Sequence, residues 1–208
     1  MFKKSKVILL ALAALVMTSC GDVASKLVGM KTDSPEVLEK AKELAKSQFD
    51  PAQWKIVSVD WGEGIGDVEL TGKVSSIRFF MIDKDGKAWQ QTFIAQLGWK
   101  AGDLDDTSFA KGDKYDDPKD YPALDLDKID AAKYTKMIED AKALIPKGYT
   151  YKSVDSFSTN TYDKAPTELV LNVAEEGKET VSNAGKTSIV FYELNYTVDE
   201  NGKVTLDE

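Results

Sequence analysis

Apolar residues recur at two different spacings along the chain, and each spacing predicts one kind of element. Within residues 34–49 they recur every three or four residues, as on one face of an amphipathic helix. Ser34 suits the N-cap and Pro35 the first helical position, whereas Pro51 disfavours helix just before it, so this helix is expected to end near Phe49. Its apolar face would consist of Val37, Leu38, Ala41, Leu44 and Ala45.

A second helix is predicted over residues 128–145, because Pro146 and Gly148 follow it directly. Each of its apolar positions lies one hundred residues after an apolar position of the first helix. These positions are Met137, Ile138, Ala141, Leu144 and Ile145. The repeated register is a first indication of an internal duplication.

After each helix, stretches rich in β-branched and aromatic residues predict strands. In the first half they cover residues 54–61, 68–73, 75–82 and 88–99, and in the second half residues 149–156, 167–174, 187–198 and 203–206. The odd-numbered residues from Trp89 to Trp99 alternate with polar residues such as Gln90 and Thr92, so we expect the odd-numbered residues to face the core.

Three short sequence motifs recur in the same order in the two halves. They are SVD at 58–60 and 153–155, SIRFF at 76–80 against SIVFY at 188–192, and DKDGK at 83–87 against DENGK at 199–203. We therefore expect an α+β fold of two tandem modules, residues 34–100 and 128–208, that arose by duplication. Each module would be one helix packed on a three- to four-stranded antiparallel sheet.

The order of helix, strands and Asp-x-x-Gly turn resembles that of PepSY-type modules. More broadly, it resembles the tandem helix-on-sheet layout of β-lactamase-inhibitory-protein-like and cystatin-like domains. The resemblance covers the layout of residues 34–100 and 128–208 and rests on element order and the turn. It implies binding or inhibition of another protein, or a role in envelope assembly, rather than catalysis.

Residues 101–127 differ in composition from both halves and are predicted to be an acidic linker. They contain nine aspartates together with Pro118 and Pro122, and few large aliphatic side chains. Calcium binds several carboxylate oxygens, but the aspartate spacing fits no known loop pattern, so we favour a solvated linker and assign no metal site. The Asp-x-x-Gly segments at 83–86 and 199–202 are interpreted as hairpin turns, because Asp and Asn before Gly accept positive φ.

The start of the chain carries a targeting signal. Three lysines precede an apolar run over residues 7–17, which is shorter than the roughly 20 residues of a spanning helix but typical of a signal-peptide core. Cys20, the only cysteine, follows as the last residue of the motif MTSC at 17–20. This start resembles a bacterial lipoprotein signal, which implies cleavage before Cys20 and a diacylglycerol on its sulfur. The alternative is a plain secretory signal that leaves a free thiol.

Residues 1–19 would then be the signal peptide and residues 20–33 a membrane tether. Two or more acyl chains hold a protein stably on a bilayer, since each buried methylene contributes about 0.8 kcal/mol. In lipoproteins an Asp directly after the lipidated cysteine can retain the protein at the inner membrane. Here Gly21 intervenes before Asp22, so we expect the outer membrane rather than the inner one, on a side that the sequence does not specify.

Composition excludes several functions. The net charge is −8, and it becomes −11 once the three lysines of residues 1–19 are removed, which argues against a nucleic-acid partner. The absence of histidine excludes a Ser-His-Asp triad and imidazole zinc sites, and a single cysteine excludes an internal disulfide. We therefore expect no enzymatic activity and no cofactor, with an acid-pair hydrolase as the weakest alternative.

Two tryptophans are the best candidates to contact a ligand. Trp61 adjoins a glycine-rich stretch, Trp99 ends a predicted strand, and tryptophan is enriched at binding hot spots. The resulting hypothesis is a lipid-anchored cell-envelope protein with a non-catalytic binding or assembly role and a protein or peptide ligand. The alternative is a carbohydrate-binding accessory lipoprotein that uses exposed aromatic side chains.

Overall fold

The computed structural model describes residues 29–64, 70–108, 113–183 and 186–207. The predicted signal peptide, Cys20 and most of the tether lie outside this part of the chain. The described helices and strands are, in chain order, α1 (Pro35–Gln48), β1 (Trp54–Glu63), β2 (Val74–Asp83), β3 (Ala88–Ile94), β4 (Lys100–Asp106), α2 (Ala131–Ala143), β5 (Tyr149–Asn160), β6 (Thr167–Glu175), β7 (Thr180–Asn183), β8 (Lys186–Ile189), β9 (Tyr192–Val198) and β10 (Val204–Leu206).

Both predicted helices form. The Oγ of Ser34 caps α1 by accepting a hydrogen bond from a backbone N–H of the first turn at 3.3 Å. α2 begins at Ala131, later than predicted, because Asp130 is its N-cap and accepts from the N–H of Lys133 at 2.7 Å. The preceding residues, Leu126–Lys128, form a separate 3₁₀ turn.

Eight of the ten described strands form one antiparallel sheet in the order β10-β9-β6-β5-β1-β2-β3-β4, and β7 and β8 form a separate hairpin. At the centre of the sheet, residues 58–62 of β1 pair with residues 156–160 of β5. The prediction of two tandem modules, each with its own helix and sheet, is therefore wrong. Pairing β1 with β5 removes two strand edges whose N–H and C=O groups would otherwise lack partners.

One cross-strand row of side chains runs through the core of this sheet. On β1, Trp61 lies opposite Ile77 of β2 on one side and opposite Phe157 of β5 on the other. The row has six members, each at most 1% exposed: Phe93, Ile77, Trp61, Phe157, Leu169 and Tyr196. Antiparallel partners point to the same side of a sheet, so this buried row gives six strands one common core face.

Both helices cover that face. The ring of Tyr134 on α2 lies 5.6 Å from the ring of Trp61 and 5.2 Å from that of Phe157, measured between centroids. Phe49, directly after α1, packs edge-on against Phe79 and Phe93 at 5.3 and 6.0 Å. The buried residues of both helices belong to the same core cluster as the buried row, so the two halves share one main core.

A chain of hydrogen bonds ties the segment before α1 to this core. The indole N–H of Trp61 donates to the Tyr134 hydroxyl at 3.2 Å, and that hydroxyl donates to the carbonyl oxygen of Thr32. The Thr32 hydroxyl in turn donates to the carbonyl oxygen of Val154 on β5 at 2.8 Å. Since Thr32 is fully buried, the last residues of the segment predicted to be a tether belong to the fold.

The two predicted hairpin turns are confirmed, and they share one hydrogen-bond pattern. The Oδ1 atoms of Asp83 and Asp199 each accept from the N–H groups two and four residues later, at 2.8 to 2.9 Å. Gly86 and Gly202 reverse the chain with φ of 83° and 81°, a conformation that favours glycine. They close the β2–β3 and β9–β10 hairpins.

Three strand predictions need correction. The strand predicted over residues 88–99 ends at Ile94, because a 3₁₀ turn over Ala95–Leu97 follows. Leu97 in this turn is 57% exposed, so the prediction that the odd-numbered residues up to Trp99 face the core does not hold there. The strand predicted over residues 187–198 is instead divided between β8 and β9. Of the strand predicted over residues 68–73, residues 70–73 form no strand, and residues 68–69 lie outside the described chain.

The segment predicted as an acidic linker, residues 101–127, contributes to the sheet and packs against it. Its first residues belong to β4, an exposed edge strand whose aspartates disfavour pairing with another sheet. Further along, Tyr121 is 1% exposed and stacks on Tyr162 with centroids 4.7 Å apart. Tyr121 forms a second, smaller core cluster with Val57 and Ile82.

Candidate functional site

The sheet face turned away from α1 and α2 carries a row of polar side chains next to the buried row. We call this face the open face. The polar row crosses the same six strands and consists of Thr92, Arg78, Asp60, Ser158, Glu168 and Thr197. Each member precedes or follows a member of the buried row in its strand, so alternation turns it to the opposite side. All six are at least partly exposed.

An ion pair occupies the centre of the polar row. Arg78 is the only arginine of the chain. Its Nε donates to Asp60 Oδ2 at 3.0 Å and an Nη donates to Asp60 Oδ1 at 3.2 Å, so the guanidinium is held in a fixed plane by two bonds. Its Cζ lies 5.1 Å from the centroid of the Phe80 ring, within cation–π range.

The two members of the pair differ in exposure. The side chain of Arg78 is 44% exposed and that of Asp60 is 23% exposed. Burial raises the pKa of the Asp60 carboxyl above its ordinary value, and this outweighs the opposing effects of the Arg78 hydrogen bond and charge. The carboxylate therefore lies beneath an accessible guanidinium and fixes its orientation.

A second open-face row, defined by Ile94, Ser76, Gly62, Ser156, Val170 and Asn195, runs beside the polar row. The residues near its centre, Ser76, Gly62 and Ser156, are small, so no large side chain flanks the Arg78 guanidinium on that side. Gly62 is required by close backbone approach: a Cβ there would lie 2.7 Å from the carbonyl oxygen of Asp155. The sheet thus keeps β1 and β5 in contact at this point.

The structure places the two candidate tryptophans differently. Trp61 is 1% exposed in the core, where its ring stacks on Phe157 at 4.4 Å, so it presents no surface to a ligand. Trp99 is half-buried beside α1, with the Nζ of Lys40 at 5.8 Å from its ring. The two rings have different neighbours and form no common platform. Cys20, the expected lipidation site, lies outside the described residues.

A buried polar cluster lies where β1 ends. The Glu63 carboxylate accepts from the N–H of Gly72 at 2.7 Å, from the Ser153 hydroxyl at 2.5 Å and from the amide of Asn172 at 2.8 Å. These bonds satisfy a carboxylate that burial would otherwise penalise. They also connect residues after β1 to β5 and β6, which indicates a structural role.

Sequence reasoning missed Arg78, although a signal was present. Arg78 interrupts the apolar run of residues 75–82 and is flanked by Ile77 and Phe79, which the alternation of a strand places on the opposite face. That parity predicts a guanidinium on the face away from the helices. The partner Asp60 was not predictable, since the pairing register of two strands is a non-local property.

No family model, curated protein or solved structure matches this chain. Within the described residues, there is no cluster of three or more His, Cys, Asp or Glu placed to hold a metal ion. None of the described helices is long and apolar enough to cross a membrane.

We predict that the Asp60 carboxyl titrates above pH 3.8 in an NMR pH titration, whereas Asp83 and Asp199, bonded within their turns, titrate below it. Because the pKa of folded Asp60 is raised, its contribution to the free energy of unfolding falls as pH rises from 3.8 through that pKa. Arg78→Met should raise the Asp60 midpoint further, and Lys84→Met, at an exposed turn, should leave it unchanged. A midpoint for Asp60 below 3.8 would contradict this electrostatic account.

Proposed function

We propose that this chain is a lipid-anchored envelope protein that binds a protein or peptide partner on its open face, without catalysis. The observation that supports this most strongly is the Asp60–Arg78 pair. It places an oriented guanidinium at the middle of a sheet face that both helices leave uncovered. Two of its N–H groups bind Asp60, and the others remain for a partner.

Arginine is suited to such a contact. It is enriched at the centres of protein interfaces and among the residues that dominate binding energy. Asp60 and the Phe80 ring hold Arg78 before binding, which lowers the entropy lost when the partner docks. The chemistry that complements the free N–H groups is a backbone carbonyl or a side-chain carboxylate of a protein.

The dimensions of the open face also suit a protein partner. Strands about 4.8 Å apart give a six-strand row a width of about 24 Å. A stable interface uses about 800 Å² on each partner. The second core cluster around Tyr121 covers Ile82 at one end of the open face, so a partner would contact the part that extends from Asp60 and Arg78 away from that cluster. A peptide could lie across the strands with one carbonyl or carboxylate on Arg78.

The anchor is part of the same proposal. Lipidated Cys20 would hold the chain on the membrane, and residues 20–28 would span up to about 30 Å when extended. The fold begins close to this tether, because Thr32 is buried between α2 and β5. Gly21 stands where an inner-membrane retention signal would place Asp, which supports attachment at the outer membrane.

The carbohydrate-binding alternative gains no comparable support. It requires exposed aromatic rings, and all four tryptophans are buried or half-buried. The Trp54 and Trp89 rings are engaged edge-on with each other at 6.2 Å. On the open face, the Phe80 ring lies under Arg78, and Tyr121 and Tyr162 stack on each other within the second core cluster, so these rings are engaged within the fold.

We predict that Arg78→Ala weakens capture of the partner by about 30-fold, the loss typical of a hot-spot residue of about 2 kcal/mol. A photocrosslinking side chain at Asn195, on the open face, should trap the partner in envelope membranes, whereas the same group at Gln48, at the end of α1, should not. The partner is identified by mass spectrometry, and its affinity is then measured with purified proteins.

The matched control is Lys84→Ala, which removes a cation from an exposed turn and should leave affinity unchanged. Because Arg78→Ala also leaves Asp60 unpaired, Ser158→Trp provides a second variant that blocks the open face while keeping the pair. Crosslinks from Gln48 but not from Asn195, or full affinity in both open-face variants, would contradict the proposed function.

We also predict that Cys20→Ala moves the protein from the membrane fraction to the soluble fraction, since it removes the acyl chains that would hold the protein on the bilayer. Mass spectrometry of the wild-type N-terminal peptide should show the added lipid on Cys20. Retention of the variant in carbonate-washed membranes would show that another element anchors the chain.

A further inference from the structure

The first described residues lie at one end of the main sheet. Lys31 forms a bridge with Lys73 just before β2 begins. The hydroxyl of Tyr151, near the start of β5, donates to Asp33 at 2.9 Å. Because neighbouring strands are antiparallel, β1, β3 and β6 end here, and β2, β5 and β9 begin here. We call this the tether end of the sheet and the opposite end the far end.

Exposed apolar side chains are concentrated at the tether end. Five large apolar side chains are exposed among the described residues, and four of them lie in connections at this end. Leu97 follows β3, and Leu144 directly follows α2. Val181 and Ile189 belong to the β7–β8 hairpin, which lies between β6 and β9 in the chain. The fifth, Leu104, lies within β4, so the described connections of the far end expose none.

The four side chains are spread over three connections. The turn after β3 and the chain that enters β9 are separated by five strand spacings, which is about 24 Å. Leu144 lies on the helix side of the sheet, since it follows α2, whose Lys142 Nζ lies 3.9 Å from Asp33. Separated contact points of this kind suit a broad, flat surface, whereas a small molecule requires a concave site.

Charge also distinguishes the two ends of the sheet. Three lysines and two glutamates, a net charge of +1, are the charged residues in the connections that carry the exposed side chains, residues 95–99, 144–148 and 176–191. Residues 113–127 hold six aspartates and two lysines, a net charge of −4, and Tyr121 of this segment packs on Ile82 near the far end of β2. An acidic surface is repelled by anionic lipids, so the tether end is the one suited to lie beside a bilayer.

We infer that the tether end rests on a bilayer surface, with these four apolar side chains inserted at the boundary between headgroups and acyl chains. The inference rests on the lipid anchor of the proposed function. From a lipidated Cys20, residues 20–28 reach at most about 30 Å, which keeps Gly29 and the tether end close to the membrane. The partner of this surface is therefore the lipid that the anchor itself enters.

This contact fixes the orientation of the open face. The strands then stand up from the bilayer, and β2, with ten residues, rises about 33 Å along its length. The Asp60–Arg78 pair lies partway along this length and is turned sideways. A partner held in the same membrane would reach the open face from the side, and the acidic far end points away from the lipid.

Nitroxide labels test this in the full-length lipidated protein, reconstituted into phosphatidylcholine vesicles. Under the proposed function the only native cysteine is acylated, so one introduced cysteine gives one labelled site. The variants labelled at the tether end are Leu97→Cys, Leu144→Cys, Val181→Cys and Ile189→Cys. The controls are Leu104→Cys, an exposed leucine within β4, and Lys84→Cys, in the β2–β3 turn of the far end.

The measurement compares collisions of each label with two paramagnetic reagents. Oxygen concentrates in lipid, whereas a charged nickel complex stays in water. The ratio of oxygen collisions to nickel collisions should be several-fold higher at the four tether-end sites than at the two control sites. Flotation of the vesicles verifies that each labelled protein is attached to lipid.

A pair of charged substitutions tests whether the apolar side chains cause the contact. Val181→Asp together with Ile189→Asp should lower the oxygen-to-nickel ratio of the label at Leu144, because carboxylates oppose insertion into lipid. The two connections move together, since the N–H of Glu176 donates to the carbonyl oxygen of Gly148 at 2.9 Å. Leu104→Asp should leave the ratio unchanged. Thermal unfolding verifies that the variants are folded, as expected for exposed positions.

Three results in protein that floats with the vesicles would overturn this inference alone. They are tether-end ratios equal to those of the controls, tether-end labels shielded from both reagents, and a Leu144 ratio that the paired Asp substitutions leave unchanged. Shielding from both reagents would show that a protein, such as a second copy, covers this end instead of lipid. Protein that fails to float would contradict the lipid anchor of the proposed function and this inference together, so the two failures are distinguishable.

Discussion

The contact on which the rest of the structure depends is the stacking of Trp61 on Phe157 across the β1–β5 junction, with ring centroids 4.4 Å apart. It joins the two halves of the sheet at their centre. Tyr134 covers both rings and connects them by hydrogen bonds to Thr32, so one residue each from β1, β5, α2 and the segment before α1 meets here. Because all four are buried, removing any of them leaves a cavity or an unpaired polar group.

The same register that builds the core also creates the candidate binding face. Once Trp61 points to the helices, alternation turns its neighbour Asp60 to the other side, and the β1–β2 register places Arg78 opposite Asp60. A shift by one residue would bury the ion pair and expose the tryptophan. Binding by Arg78 and packing by Trp61 are therefore consequences of one pairing arrangement, which explains why a residue expected to bind instead stabilises the fold.

Sequence reasoning succeeded where the signals were local. Ser34 and Pro35 mark the start of α1. The Asp-x-x-Gly motifs mark two hairpin turns in which the Asp side chain accepts the same two backbone hydrogen bonds. It failed for the sheet, since nothing in β1 or β5 alone shows whether the strand is an edge or pairs with a distant strand. It also failed for Trp61, because the nearby glycines suggested an exposed turn, whereas Gly62 allows β1 to lie close to the Asp155 backbone of β5.

Because the β1–β5 junction joins them at the core, both halves should form one cooperative unit. Native-state hydrogen exchange at increasing urea concentrations tests it most directly, because it reports the opening free energy of each strand separately. The slowest amides of β2 and of β6, which lie in different halves, should exchange with the same free energy and the same dependence on urea. Two distinct opening free energies, with one half exchanging while the other stays protected, would contradict it.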